Sequence, residues 1–180
     1  KTLVDYAALQ AARSGANNGA QVSAMRVGLA RGLAPLYSFQ PTNQELVTAY
    51  AKAYADTLNP LVSQIQVINP TKAAFADWKE PQYDGVEAIP NDSLPYRPTT
   101  PGAQSGLTVQ DANVLKIRVV YGYPLFVPVV DHIILTIFQN AFYSGLTAQE
   151  VAMLQNGRMP IVTQAVVRMQ SPIRDSSNLP

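Results

Sequence analysis

Residues 114–123 constrain the fold more than any other part of the chain. Leu115, Ile117, Val119 and Tyr121 alternate there with Lys116 and Arg118. Side chains on a β-strand point to opposite faces with period two, so this pattern predicts a strand with one face buried against a core. Such a strand needs neighbours, and two other segments offer the same alternation. In 63–69, Ile65 and Val67 oppose Gln64 and Gln66; in 159–170, Ile161, Thr163, Ala165, Val167 and Met169 share one side. The segments between them have helical character. Three strands separated by helices build an antiparallel or a mixed sheet, and the fold class expected is α+β.

Residues 3–16 are rich in alanine, the strongest intrinsic helix former, and a break is expected between Gly15 and Gly19 around Asn17 and Asn18. A second helix places Val22, Met25, Leu29, Leu33 and Leu36 on one face, with Gly28 and Gly32 one turn apart where another backbone can come close. Thr42–Glu45 and Thr147–Glu150 both read as capping boxes, in which the threonine hydroxyl and the glutamate satisfy each other's backbone amides. The first opens a helix with Leu46, Tyr50 and Tyr54 on its apolar face, ended by Asn59-Pro60; the second opens a short helix closed by Gly157. Pro70-Thr71 starts a helical turn that brings Phe75 and Trp78 inward. A helix over 127–142 is expected to bury Val130, Ile134, Ile137 and Phe138. Between Lys79 and Gly106 lie Pro81, Pro90, Pro95, Pro98 and Pro101 with no periodicity, the pattern of a binding or flexible loop.

Composition narrows the function classes. Charged residues are 14% of the 180, against about 25% in an average soluble domain. A weakly charged surface suits a protein that works against partners or near a membrane. Net charge is +1 and the basic residues are scattered singly, which argues against nucleic-acid binding. There is no cysteine, so disulfides, thiolate metal sites and thiol catalysis are excluded. The longest apolar run, Val119–Val130, is too short for a membrane span and is interrupted by Pro124 and Pro128.

No catalytic constellation is found. The one histidine, His132, is adjacent to Asp131, and neighbours on a helix point about 100° apart, so the two do not form a dyad. Nucleophile-elbow, phosphate-loop and dinucleotide-binding motifs are absent. Asp84, Glu87, Asp92 and Asp111 could supply oxygen ligands to calcium, but their spacing matches no calcium loop, and solvated turn carboxylates are the plainer reading. Tyr83, Tyr96 and Arg97 belong to the residue types enriched at interfaces; an aromatic that pins the loop to its own core is the alternative.

Three blocks of sequence resemble the TadE-like proteins of the tight-adherence (Flp) pilus systems of bacteria. They are LVDYAALQAARSGANNGAQ at 3–21, IQVINPTKAAFADW at 65–78 with IPND at 89–92, and LTVQDANVLKIRVVYGYPLFVPVV at 107–130 followed by GRMPIVTQAVVRMQSP at 157–172. The resemblance implies a non-catalytic minor pilin, or pseudopilin, that needs neither cofactor nor metal and acts on no small-molecule substrate. Its fold would be pilin-like: an N-terminal helical arm and helices packed on a small, mainly antiparallel sheet. Residues 1–37 would form an Ala-rich arm, its stalk at 3–16, continuing from an inner-membrane anchor that the chain lacks. Residues 38–180 would form a periplasmic domain carrying the 79–106 loop. Partners would be other pilins, inner-membrane assembly proteins and the membrane itself, and the domain could enter the extracellular pilus. Leu3, Tyr6, Tyr83, Tyr96 and Arg97 are the candidate contact residues. The competing classes are an envelope-anchored adhesive or ligand-binding module and an enzyme with an unfamiliar site.

Overall fold

A computed structural model describes residues 1–40, 42–125 and 145–180. Its elements are helix α1 (Thr2–Asn17), α2 (Val22–Leu33), α3 (Asn43–Leu58), strand β1 (Ser63–Asn69), α4 (Lys72–Trp78), the two-residue strands β2 (Glu80–Pro81) and β3 (Glu87–Ala88), α5 (Val109–Ala112), β4 (Val114–Pro124), α6 (Ala148–Gln155) and β5 (Arg158–Arg168). Short 3₁₀ turns follow α2, at Ala34–Leu36, and precede α5, at Leu94–Tyr96. The expected helix over 127–142, with His132 and Asp131, lies outside the described residues.

The main sheet has the order β1-β4-β5 and is antiparallel throughout, which resolves the choice between antiparallel and mixed. β4 is its centre, as the alternation of 114–123 predicts. Ile65 pairs with Val119 and Val67 with Ile117 on one side, while Leu115 pairs with Val167 and Ile117 with Ala165 on the other. Leu115, Ile117, Val119 and Tyr121 are completely buried. Fully burying a side chain of this size stabilises the fold by about 1.5–3 kcal/mol, so this row anchors the core.

Above the row lies α1. Its Val4, Ala7, Ala8, Ala11, Ala12 and Ala16 are all inaccessible to solvent, in one core with the sheet and with Met25, Leu29 and Leu33 of α2. Alanine is needed here for its size as much as for its propensity. A Cβ on Gly32 would fall 2.4 Å from the Ala7 Cα, and one on Gly28 would fall 2.5 Å from the Gln10 carbonyl oxygen, so the two helices cross at backbone contact. Gly15, expected to break α1, instead sits inside it, where a Cβ would strike Met25 at 2.7 Å. The break falls at Gly19 and Ala20, both with φ of 60°. α1 and α2, both within residues 1–37, share one core with the sheet.

α3 departs from the sequence reading. Its buried row is Ala49, Ala53 and Thr57, whereas Leu46 and Leu58 are half exposed and Tyr50 stacks on Tyr54 at 6.1 Å. α3 lies against α2, and its fully buried row is of small residues, with Tyr50 and Tyr54 packed on the core only in part. The Thr42 box is half formed, with Glu45 N–H donating to Thr42 Oγ1 at 3.2 Å and the Glu45 carboxylate turned to the Phe39 amide. At Thr147 and Glu150 both halves form. Phe75 and Trp78 pack on the core as expected, and Trp78 Nε1 donates to the Leu107 carbonyl at 2.9 Å.

Candidate functional site

The 79–106 segment is irregular in backbone but fixed in place. At its start β2 and β3 form a small hairpin whose tip turns through Gly85 at φ 79°, with the Gln82 amide donating to the Val86 carbonyl. Asp84 braces the tip from within, accepting from the Val86 amide, and is clamped by Arg174 at 2.5 Å from the C-terminal segment. The Arg174 guanidinium and then the Val86 amide hold the Asp84 carboxyl below its ordinary pKa. Further on, Ile89 exchanges backbone bonds with Ile173, Asn91 Nδ2 donates to the Met169 carbonyl, and the buried Asn113 donates from Nδ2 to the Pro90 carbonyl. Gln110 spans the next turn through the Leu94 and Arg97 carbonyls. Near the loop's end, Asp77 receives the Gln104 amide and both the amide and hydroxyl of Ser105, the hydroxyl being the leading cause of its lowered pKa.

Within this framework the sequence-predicted contact residues part ways. Tyr83 at the hairpin tip is 100% exposed and Tyr96, in the 3₁₀ turn, is 92% exposed. Neither pins the loop to the core, so the alternative reading of these aromatics is not what the fold uses. Arg97 does the pinning. Its guanidinium reaches Glu80 at 2.6 Å and Asp92 at 3.0 Å, and its Nε donates to the Asp92 carbonyl. The bond to Glu80, then that to Asp92, raises its pKa against the opposing pull of burial. Among the candidate contact residues, Arg97 is thus the one committed to holding the loop together. At the start of α1, Tyr6 is half exposed and Leu3 is partly covered; neither shares an element with the loop's tyrosines.

The four acidic residues weighed for calcium go separate ways. Asp84 pairs with Arg174, Glu87 with Lys79 at 2.6 Å, Asp92 with Arg97, and Asp111 accepts from the Thr108 hydroxyl at the start of α5. Among the described residues no group of three metal-ligating side chains converges.

A second cluster escaped the sequence reading. Tyr37, Asp56 of α3, Tyr121 of β4 and Arg158 of β5 meet in one polar knot. Both tyrosine hydroxyls donate to Asp56 Oδ2, Tyr121 at 2.9 Å, while lying 3.0 Å from each other. Arg158 grips the same carboxylate with both terminal nitrogens and also donates to the Gly122 carbonyl at 3.0 Å. Burial, then the bond to Tyr37, drives the Tyr121 hydroxyl far above the ordinary tyrosine pKa. Burial and then Asp56 raise Tyr37 as well. Burial alone would lower Arg158, but its bonds to Asp56 outweigh that and raise it. These groups satisfy one another, and the chemistry of the arrangement is cohesion: it ties α3 and the turn after α2 to the sheet. The one sequence signal was an acid, Asp56, in the last turn of a helix that carries several alanines.

Several apolar side chains on and beside α3 are also exposed: Phe39 at 75%, Val47 at 70%, with Leu46, Leu58 and Leu61 about half exposed. No protein-family model, curated protein or solved structure matches the chain.

Proposed function

We propose that this domain is a non-catalytic assembly module, a minor pilin or pseudopilin of the TadE-like type, which supports the building of a tight-adherence pilus through protein–protein contacts. The observation that carries the reading is the pair Tyr83 and Tyr96, presented nearly bare to solvent on a loop whose backbone is already ordered. Aromatic side chains are the usual anchors of protein interfaces, and a loop fixed before binding loses little entropy when it docks. Support comes also from the destination of the perturbed groups. Tyr37, Tyr121 and Arg158 are all bonded to Asp56, an arrangement that suits a structural tie. The sequence blocks that carry the resemblance fall on α1, β1, β4 and β5, elements that pack together.

On this reading the domain stands on the periplasmic side of the inner membrane, held by an N-terminal anchor, and meets other pilins and inner-membrane assembly proteins without cofactor, metal or small-molecule substrate. Among the described residues no helix is long and apolar enough to cross a membrane. The exposed tyrosines also fit a second reading, an adhesive module, because aromatic rings stack on sugars as readily as on side chains.

A photo-crosslinking residue at position 83 or 96 of the anchored protein, in a bacterium assembling such pili, tests the choice. Capture of pilins and inner-membrane assembly components is expected. Capture of envelope polysaccharide alone would overturn the assembly reading in favour of the adhesive one.

A further inference from the structure

The α1–α2 hairpin carries a cleft that the loop and its tyrosines do not touch. It has a volume of about 360 Å³ and is lined by Gln10, Arg13, Ser14 and Asn17 from α1 and by Gly28 and Arg31 from α2. Its floor exists because Gly28 lets the helices meet at Gln10 and Ser14. Its rim is basic. Residues 1–44 contain Lys1, Arg13, Arg26 and Arg31 against a single acid, Asp5, so the +1 of the whole chain hides a positive hairpin.

The two arginines of the rim differ from four others of the sheet, loop and C-terminal segment. Arg97, Arg118, Arg158 and Arg174 each hold a carboxylate. Arg13 and Arg31 are exposed, and among the described residues neither has an ion-pair or hydrogen-bond partner. Gln10, Ser14 and Asn17 likewise leave their side-chain polar groups uncommitted among the described residues. A guanidinium is a planar fork of donors that matches phosphate oxygens, and two of them on opposite walls of a cleft suit a doubly charged group. Amide and hydroxyl side chains beside them suit the hydroxyls of a polyol.

We propose that this cleft binds a phosphate-bearing polyol, with Arg13 and Arg31 holding the phosphate and Gln10, Ser14 and Asn17 meeting the hydroxyls. The phosphate group has two possible sources, a free sugar or glycerol phosphate and the headgroup of an anionic phospholipid. The site is independent of the assembly reading and of the tyrosines that carry it.

The test is calorimetric titration of the 180-residue chain with glycerol 3-phosphate, alongside co-sedimentation with phosphatidylcholine vesicles with and without phosphatidylglycerol. Arg13→Gln and Arg31→Gln are compared with Lys52→Gln, a solvent-facing charge change on α3, after circular dichroism shows all three folded. Saturable binding is expected, weakened about tenfold by each arginine change and little by Lys52→Gln, as suits the loss of a charge-assisted bond. Binding to the free phosphate assigns a soluble ligand; binding to the anionic vesicles alone, with the same arginine dependence, assigns the headgroup. Failure of both probes to bind saturably, or equal weakening by all three changes, would overturn the proposal.

Discussion

The 79–106 loop and the α1–α2 hairpin reach order by opposite means. The loop buries only a few apolar side chains, Ala88, Ile89, Pro90 and Leu94. It is held by side chains that reach from elsewhere to its backbone, as Asn113 does to Pro90 and Asp77 to Gln104 and Ser105. The hairpin is held by the closeness of small residues, with Gly32 on Ala7 and Gly28 on Gln10. Each device decides what is left over for other molecules. Where polar and charged groups do the holding, as Arg97 does, aromatics remain outside; where alanine and glycine do it, arginines remain outside. A surface is defined as much by how the chain beneath it is secured as by its own composition.

The comparison breaks most severely at the knot that fastens the end of the hairpin to the sheet. Asp56→Ala would leave Arg158 and two tyrosine hydroxyls without their common acceptor, and a loss of about 3–5 kcal/mol is expected from removing one partner of a buried pair. A denaturant titration that found under about 1 kcal/mol would mean the knot is wetter than its geometry implies. Next in size is Gly32→Ala. The added methyl has backbone on its far side, so the helices must separate, at about 1–3 kcal/mol of overpacking. Thermal unfolding would read it, and an unchanged midpoint would remove the close crossing as the hairpin's main restraint.

Smaller effects belong to the loop. Arg97→Ala should lower global stability by only about 1 kcal/mol or less, since its pairs are partly exposed, while speeding amide exchange in residues 92–97. Equal protection in the variant would show that Gln110 holds the turn unaided. The smallest effect is acidification. Asp77 and Asp84 have folded-state pKa values below the ordinary carboxylate value, so their contribution is complete above about pH 4 and fades as pH falls through the depressed values. Exchange in the loop should quicken in that acid range while α1 and α2 stay protected. Asp77→Asn should blunt the response, and simultaneous loosening of both regions would dissolve the contrast between them.

The parts of the fold legible in the sequence were those whose cause is local. Strand alternation marks a buried face, so β1, β4 and β5 could be read from residues such as Ile65, Ile117 and Ala165. A threonine three residues before a glutamate marks a helix start, and both helices begin there. What local pattern cannot convey is which of two adjacent rows on a helix meets a neighbour. The leucine–tyrosine row of α3 is the more apolar, yet Ala49 and Ala53 are the residues fully buried, with Tyr50 and Tyr54 only partly so. Nor can it convey pairings across the chain. Asp56 and Arg158 are 102 residues apart, and Asn91 lies 78 from the carbonyl it meets. For the candidate surface, Tyr83 and Tyr96 were visible by type, but the inward turn of Arg97 depended on Glu80 and Asp92 arriving together.

The contact between α1 and β5 joins the first element of the chain to the last strand, and the Gln170 amide closes on the Ala16 carbonyl at 3.0 Å. That closure has a kinetic meaning. As the chain is made, α1 and α2 can pair at once, but the alanine face that belongs on the sheet must wait for β4, and its cover is complete only when residues near 170 are free. Long-range contacts of this kind form slowly, because the ends must find each other first. A growing chain therefore carries an incompletely covered apolar helix from the making of α1 to the making of β5, and one cut short of β5 would leave part of that face open to chaperones and proteases.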